Sequence, residues 1–386
     1  MKKRFETTVR QIPKFVSIVL GICLLILVIV ASLVKQVSAA PFPDVASNEY
    51  CLSCHSQPGL TKTLPSGETL SLTIDPNLFD ASVHGEEHKA CVDCHTNIAS
   101  FPHPDFKAQN LREVTLSLYT TCKQCHEDQY NKILDSVHQK ALASGNNNAA
   151  VCTDCHNPHQ QTRITDPKTK QILPTARRRI PEVCARCHSA IYDQYKNSVH
   201  GTALTEGNPD VPTCIDCHGV HNIQNPTTAS FRNSTPFLCA KCHTDANIMD
   251  KYHISTKVLN TYVADFHGTT VKLFDETYPD QPTNKPVCTD CHGVHDIVKV
   301  DDPKAGIALR EHLLTKCQRC HPNATVNFSS AWMSHYIPSP KEYPIVFYVN
   351  LFYKFFIPTV LGGMTLFVLT DIYRRIANRV KEGRRK

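Results

Sequence analysis

Methionine is scarce in this chain, with four in 386 residues against 19 cysteines and 21 histidines. Whatever ligand chemistry the cysteines and histidines serve, methionine cannot be its regular partner. Strict alternation of apolar and polar residues is absent from most of the chain, which excludes a β-sandwich or barrel. Positive charge is missing where a nucleic-acid binder needs it. Of the formal net charge of +6, residues 1–35 supply +5 and residues 354–386 supply +6, so the stretch between carries −5. An acidic middle speaks against nucleic acid and suits a basic protein partner steered by long-range charge. Only Cys23 lies outside a repeated motif, and it reads as a small apolar residue in a hydrophobic run.

What is present is Cys-x-x-Cys-His, nine times. The cysteine pairs are Cys51 and Cys54, Cys91 and Cys94, Cys122 and Cys125, Cys152 and Cys155, Cys184 and Cys187, Cys214 and Cys217, Cys239 and Cys242, Cys288 and Cys291, and Cys317 and Cys320. Residues three apart are neighbours on a helical turn, so both thiols of a pair can bond the two vinyl groups of one porphyrin. The next residue then ligates the iron from below. These proximal histidines are His55, His95, His126, His156, His188, His218, His243, His292 and His321. A zinc site needs four protein ligands and has no reason to demand a histidine after every pair. A redox dithiol motif would be single and set in a βαβ pattern. The cofactors implied are nine covalently bound c-type haems.

An electron-transfer haem iron commonly has two axial ligands, so nine distal ligands are needed. Twelve histidines remain. His159, His221 and His295 lie three residues after a proximal histidine, and His103 is a looser version of that context. His84, His138, His200 and His267 each precede a later motif in SVHG, SVHQ, SVHG and DFHG, and His335, in MSHY, is grouped with them after the last motif. An aromatic residue stands five positions before three of them: Phe79, Tyr195 and Tyr262. That context favours His267 over His253. Nine candidates match nine irons, leaving His88, His253 and His312, with Met249 and Met333 read as packing residues.

The repeat is longer than the motif. Cys122 to Cys184 and Cys152 to Cys214 are both 62 residues. The pattern gives two-haem modules at 51–103, 122–159, 184–221 and 239–295, with a half-module at 317–335. Such units stack on their neighbours. About 32 residues per haem is too little to wrap a separate apolar core around each. The expected fold is therefore mostly α and irregular, a multihaem cytochrome c array with the haems forming the core, plus transmembrane helices. Helical stretches are expected around 128–143 and 190–204, and loops at 160–183 and 222–237. The run Arg177-Arg178-Arg179 reads as a solvated loop, with pairing to haem propionates as the alternative.

Both ends differ from the middle. Residues 1–40 form a signal-anchor or a signal peptide. Phe15–Val34 is twenty residues without a charge, long enough to span a bilayer, yet Val37-Ser38-Ala39 resembles a cleavage site. Residues 41–340 form the nine-haem domain. A second apolar segment at 345–370 reads as a transmembrane helix and 371–386 as a basic cytoplasmic tail. Basic flanks at both ends put the haem domain on the periplasmic side of the inner membrane. Lys354 within the span reads as snorkelling to the interface or as part of a quinol site.

Over residues 51–335, CTDCHNPH, CIDCHGVH, CTDCHGVH and the SVHG segments resemble the bacterial multihaem c-type cytochromes with doubled CxxCH motifs. The resemblance extends loosely to membrane-bound tetrahaem quinol dehydrogenases and octahaem hydroxylamine oxidoreductases. It implies closely packed bis-histidine haems that pass electrons along a chain. The chain departs from the quinol dehydrogenases in haem number and in its C-terminal anchor. It departs from ammonifying nitrite reductases in having no CxxCK motif. The implied partners are the membrane quinol pool, a b-type cytochrome or another membrane redox subunit, and a soluble or extracellular redox protein. The competing reading is a redox enzyme acting on nitrite, hydroxylamine or a sulfur oxyanion at one haem with an open site. His335, ten residues before the second span, marks a haem near the membrane.

Overall fold

The structure, a computed structural model, describes residues 18–26, 28–29, 47–98, 101–331, 335, 337–341 and 343–384. Short helices joined by irregular segments dominate, as the weak periodicity of the sequence implies. Among the described residues the one sheet is a two-stranded antiparallel pair, Thr61–Thr63 with Thr69–Ser71. Gly67 at φ 86° supplies the left-handed residue of its turn. Contacts divide the chain into two units. The first holds Met1–Asn131 and Ala141–Arg163, and the second holds Lys132–Lys140 and Ile164–Lys386.

The helices expected around 128–143 are present as Glu127–Ile133 and Val137–Ala143. Those expected around 190–204 are Ser189–Lys196 and Val199–Thr205. The two expected loops need correction, since each contains a helix, Pro174–Ala185 and Ala229–His243. Pro174 occupies the first turn, where proline has no hydrogen bond to lose and starts a helix rather than ending one. The Thr228 hydroxyl accepts from Phe231 N at 3.2 Å and caps the other. Both helices carry an internal proline, Pro181 and Pro236, each buried. Reading every proline as a breaker hid them.

Polypeptide core is thin. Twelve apolar residues are buried among those described, and they are scattered, from Leu64 and Phe79 to Val271, Val287 and Ala324. A core this thin fits a chain whose helices are built to cover bulky cofactors rather than each other.

That C-terminal helix, Pro344–Gly383, has 40 residues, a mean hydropathy of 1.7 over its most apolar stretch and no burial there. At 1.5 Å per residue it is about 60 Å long, twice the roughly 30 Å hydrocarbon layer. It does not stop at Thr370, so most of the expected 371–386 tail is a continuation of the helix. Lys354 is an exposed residue on it. Residues 18–26 and 28–29 are also helical and exposed, Cys23 included. The remainder of the first hydrophobic run and Val37-Ser38-Ala39 lie outside the described residues. Among the described residues, then, one helix is long and apolar enough to cross a membrane, rather than several.

Candidate haem-binding array

Each attachment motif is a single tight turn. His95, His126, His156, His188 and His321 each donate their backbone N–H to the carbonyl of the first cysteine of the motif, at 2.8–2.9 Å. That bond places two thiols and an imidazole on one turn. Two kinds of turn alternate along the chain. Cys51, Cys122, Cys184, Cys239 and Cys317 lie within, or at the ends of, helical segments six to fifteen residues long. The others, Cys91–Cys94, Cys152–Cys155, Cys214–His218 and Cys288–His292, are isolated turns. The second kind is held by its own aspartate. Asp93, Asp154, Asp216 and Asp290 accept the N–H of Ala90, Val151, Thr213 and Val287 at 2.8, 2.7, 2.6 and 2.7 Å. The signal stands in the sequence, since only these four motifs read Cys-x-Asp-Cys-His.

Turns of the two kinds meet in pairs. The thiols of Cys51 and Cys91, Cys122 and Cys152, Cys184 and Cys214, and Cys239 and Cys288 are within hydrogen-bonding reach. These are the motif pairs of the four expected modules. Successive modules also approach, with Cys94 close to Cys122, Cys217 to Cys239, and Cys291 to Cys317. Burial pushes the Cys217 and Cys291 thiols up to about 11. A site of such low polarity suits an uncharged thioether better than a thiolate.

Imidazoles face one another across these turns. In the first unit, His55 faces His103, His95 faces His159, and His126 faces His84, at ring-centre separations of 6.0, 6.1 and 6.3 Å. In the second unit His188 faces His138, His218 faces His295 and His243 faces His200, at 6.2, 6.0 and 6.4 Å. His292 faces His335 and His321 faces His267, at 6.3 and 6.4 Å. Every one of these pairs joins a CxxCH histidine to a candidate distal histidine. An imidazole–metal bond of about 2.0–2.1 Å, plus about 1.1 Å from ring nitrogen to ring centre, counted twice, requires about 6.3 Å. The residues therefore fit a six-coordinate iron between them. His156, whose Nδ1 lies 3.2 Å from Gln161 Oε1, belongs to the first unit, and His221 to the second.

Supporting contacts orient the rings. His55 Nδ1 bonds the Leu72 carbonyl at 2.7 Å, His84 Nδ1 the Pro158 carbonyl at 2.9 Å, and His267 Nδ1 lies 3.0 Å from Asp265 Oδ1. A proton held at Nδ1 leaves the Nε2 lone pair for a metal. Burial, then the facing His243, lowers His200 to about 4. Burial, then His335, does the same to His292. Both stay neutral, as ligation requires. His88 and His253 are exposed at positive φ, and His312 Nδ1 bonds the Gly306 carbonyl at 3.0 Å. Met249 is buried packing, and Trp332 and Met333 lie outside the described residues.

The pairing crosses module boundaries by a rule the spacing did not reveal. A histidine in an SVHG-type segment faces the first motif of the next module. His159 and His295, each three after a motif, face the second motif of the module before. His335 accordingly faces His292, not His321, so the segment leading to the terminal helix closes the Cys288 site rather than the Cys317 site.

The SVHG segment has its own construction. Ser82, Ser136 and Ser198 are buried and cap the turn carrying the distal histidine, accepting from Gly85, Gln139 and Gly201 N at 3.1–3.2 Å. The following valine donates to a carbonyl two residues past the CHxxH histidine of the following module: Val83 to Gln161, Val137 to Ile223 and Val199 to Ile297, each at 2.8 Å. The glycine permits close approach. A Cβ on Gly201 would lie 2.7 Å from Lys196 Cα and closer still to the Tyr195 carbonyl oxygen. The carbonyl that lies under the glycine is the backbone oxygen of Phe79 at Gly85 and of Tyr195 at Gly201. Arg177, expected in a solvated loop or on a propionate, is on a helix and half-buried. It pairs with Asp216 at 2.9 Å and keeps one buried donor, Nε, without a protein partner, a donor that a haem carboxylate could use.

Paired thiols on a turn with a proximal imidazole, and a second imidazole at iron-spanning distance, define a protein that carries several c-type haems. The family of the doubled CXXCH motif matches residues 142–191 and 205–248. Multiheme cytochrome MtrA of Shewanella baltica (strain OS185) is 25% identical over 250 residues, 61% of this chain and 68% of that protein. The chain is a multihaem c-type cytochrome with doubled CXXCH motifs.

Proposed function

We propose that this cytochrome is a membrane-anchored electron conduit, in which nine bis-histidine haems connect the quinol pool or a membrane redox subunit to an acceptor outside. The observation that carries the reading is the set of eight facing imidazole pairs at 6.0–6.4 Å. Each bound haem supplies a one-electron iron couple. The chain's own contribution is to fill both axial positions, which bars substrate from the iron and favours conduction over catalysis. The cysteines of successive turns lie close together, so the attachment sites are close as well. The nine cysteine pairs, each set on a helical turn of one of the two kinds, support nine thioether-linked haems. The proposed axial ligands are the proximal and distal histidines named from the sequence, His156 and His221 included.

The membrane side of the proposal rests on the Pro344–Gly383 helix and on the basic residues that follow its apolar stretch, Arg374, Arg375, Arg379 and Lys381. Basic residues stay on the cytoplasmic side, so the haem domain belongs in the periplasm of an inner-membrane protein. The acidic middle of the chain suits a basic soluble partner.

Electron spin resonance of the ferric holoprotein, with haem number from intact mass, tests the reading. Nine haems with low-spin signals alone are expected. A full-occupancy high-spin signal would replace the conduit with the enzyme reading. Reduction by a menaquinol analogue in purified membranes tests the donor, and a Lys354→Ala variant reduced at the wild-type rate removes that residue from the quinol site.

A further inference from the structure

One arginine recurs at the attachment turns, and thioether formation and iron ligation do not require it. Arg112, Arg177 and Arg232 each stand on the helix that leads into the first motif of a module, ahead of Cys122, Cys184 and Cys239. Each reaches across to the second motif of the same module. Arg112 Nη1 donates to both oxygens of Asp154 at 2.9 Å, and its other nitrogens donate to the Asn147 and Ala149 carbonyls. Arg177 Nη2 donates to Asp216 Oδ2 at 2.9 Å and the Val211 carbonyl at 2.8 Å. Arg232 Nη2 donates to Asp290 Oδ2 at 2.6 Å and the Lys285 carbonyl at 2.9 Å. The aspartate in each case is the one that caps the second turn.

We propose that Arg112, Arg177 and Arg232 are positioning residues that set the spacing and tilt between the two haems of a module. The proposal rests on haem attachment at these turns. Once both turns carry haem, the meeting sulfurs are thioethers with no proton to share, so the arginine fork is the polar tie that holds one turn against the other. With the fork in place, neither attachment turn can slide or rotate against its partner. Arginine suits the task because its planar fork bonds a carboxylate and a carbonyl together, whereas a lysine offers one charged point. The carboxylate cancels the charge, so the pair acts through geometry rather than by imposing a field. The Cys91 turn uses a different tie. Asn48, on the helix of the Cys51 motif, accepts from Cys91 N at 2.8 Å and donates to the Lys89 carbonyl at 3.0 Å.

The test uses the full holoprotein in detergent and reads two quantities: haems per chain by intact mass, and magnetic coupling between neighbouring ferric haems by electron spin resonance. Arg177→Met should keep the wild-type haem number and lose the coupling signature of one haem pair. Arg177→Lys should not restore it, and Arg179→Met, on the exposed side of the same helix, should change nothing. Asp216→Asn should give the same loss, and the double variant no more than either single one. Full haem number with unchanged coupling in Arg177→Met overturns the proposal. If that variant does not mature, Arg232→Met, which removes the matching grip on Asp290, decides: lost coupling of one haem pair supports the proposal and unchanged coupling overturns it. A wild-type protein without coupled haems strikes instead at the haem array itself.

Discussion

The attachment turns at Cys91 and Cys214 have the same backbone form but different ties. Both are capped by the aspartate inside the motif, Asp93 or Asp216. The distal-histidine segment before each repeats a buried serine cap and a glycine pressed on a carbonyl, Ser82 with Gly85 and Ser198 with Gly201. The ties around the turn differ. The Cys214 turn is gripped by Arg177 and by Tyr195, whose hydroxyl donates to the Pro212 carbonyl at 2.7 Å. The Cys91 turn has Asn48, and Phe79 stands where Tyr195 would. What recurs is what sets the candidate ligand in its place. What varies is how firmly the turn is tied, and that is where modules can be tuned without losing a haem.

The largest effect should come from the recurring part. Both turns take their second imidazole from the following module, His159 for His95 and His295 for His218. His295→Ala should convert one haem completely to high spin. The signal should persist when Cys288 and Cys291 are both replaced by serine, because the opened site is at Cys214. Its disappearance in that background would assign His295 to its own motif and break the parallel.

Next comes Gly201→Ala. The added methyl meets backbone rather than a movable side chain, so the cost should be at the upper end of overpacking, about 3 kcal/mol. Gly85→Ala should cost the same in thermal unfolding, since its Cβ would lie 2.6 Å from Asp80 Cα. Sensitivity at one site only would show that the two segments are not built alike.

These comparisons also show what could be read in advance. The attachment residues are local, and a five-residue motif suffices to find them. All of the histidines in the eight facing pairs were legible too, because spacing and flanking residues repeat. Which imidazole faces which was not, since that depends on Val83, Val137 and Val199 docking on distant carbonyls. The arginine grip was hidden for the same reason. Arg177 looks like one of three exposed arginines until the helix at Pro174–Ala185 turns it toward Asp216. The segments around Pro181 and Pro236 misled because local propensity favours a break there, while Pro174 in the first turn of one helix, the Thr228 cap of the other and burial of both prolines carry the helices through.

The ties themselves should show intermediate effects. Arg112 and Asp154 are 23% and 32% exposed, so their pair is only partly screened. Arg112→Met should destabilise by about 2 kcal/mol, as a charge-assisted hydrogen bond with carbonyl partners left over. Asn48→Ala, at the turn without an arginine, should cost about 1 kcal/mol through its neutral bonds. Equal losses in chemical denaturation of the holoprotein would mean that the two ties are interchangeable.

The smallest expected effect isolates one atom. Tyr195→Phe removes the hydroxyl and gives the third module the aromatic ring that the first already has. The ring itself is kept, so packing and the position of His200 should be preserved. The lost bond is neutral and ends on the carbonyl of Pro212, a half-buried residue that water can reach. The cost should therefore be about 0.5–1 kcal/mol, with no change in haem number or spin state. Tyr262→Phe, whose hydroxyl donates to the Pro286 carbonyl at 2.8 Å, should match it. A high-spin signal from either variant would move the tyrosine from tying the turn to placing the ligand, and the first module, with Phe79, would then need another device for the same task.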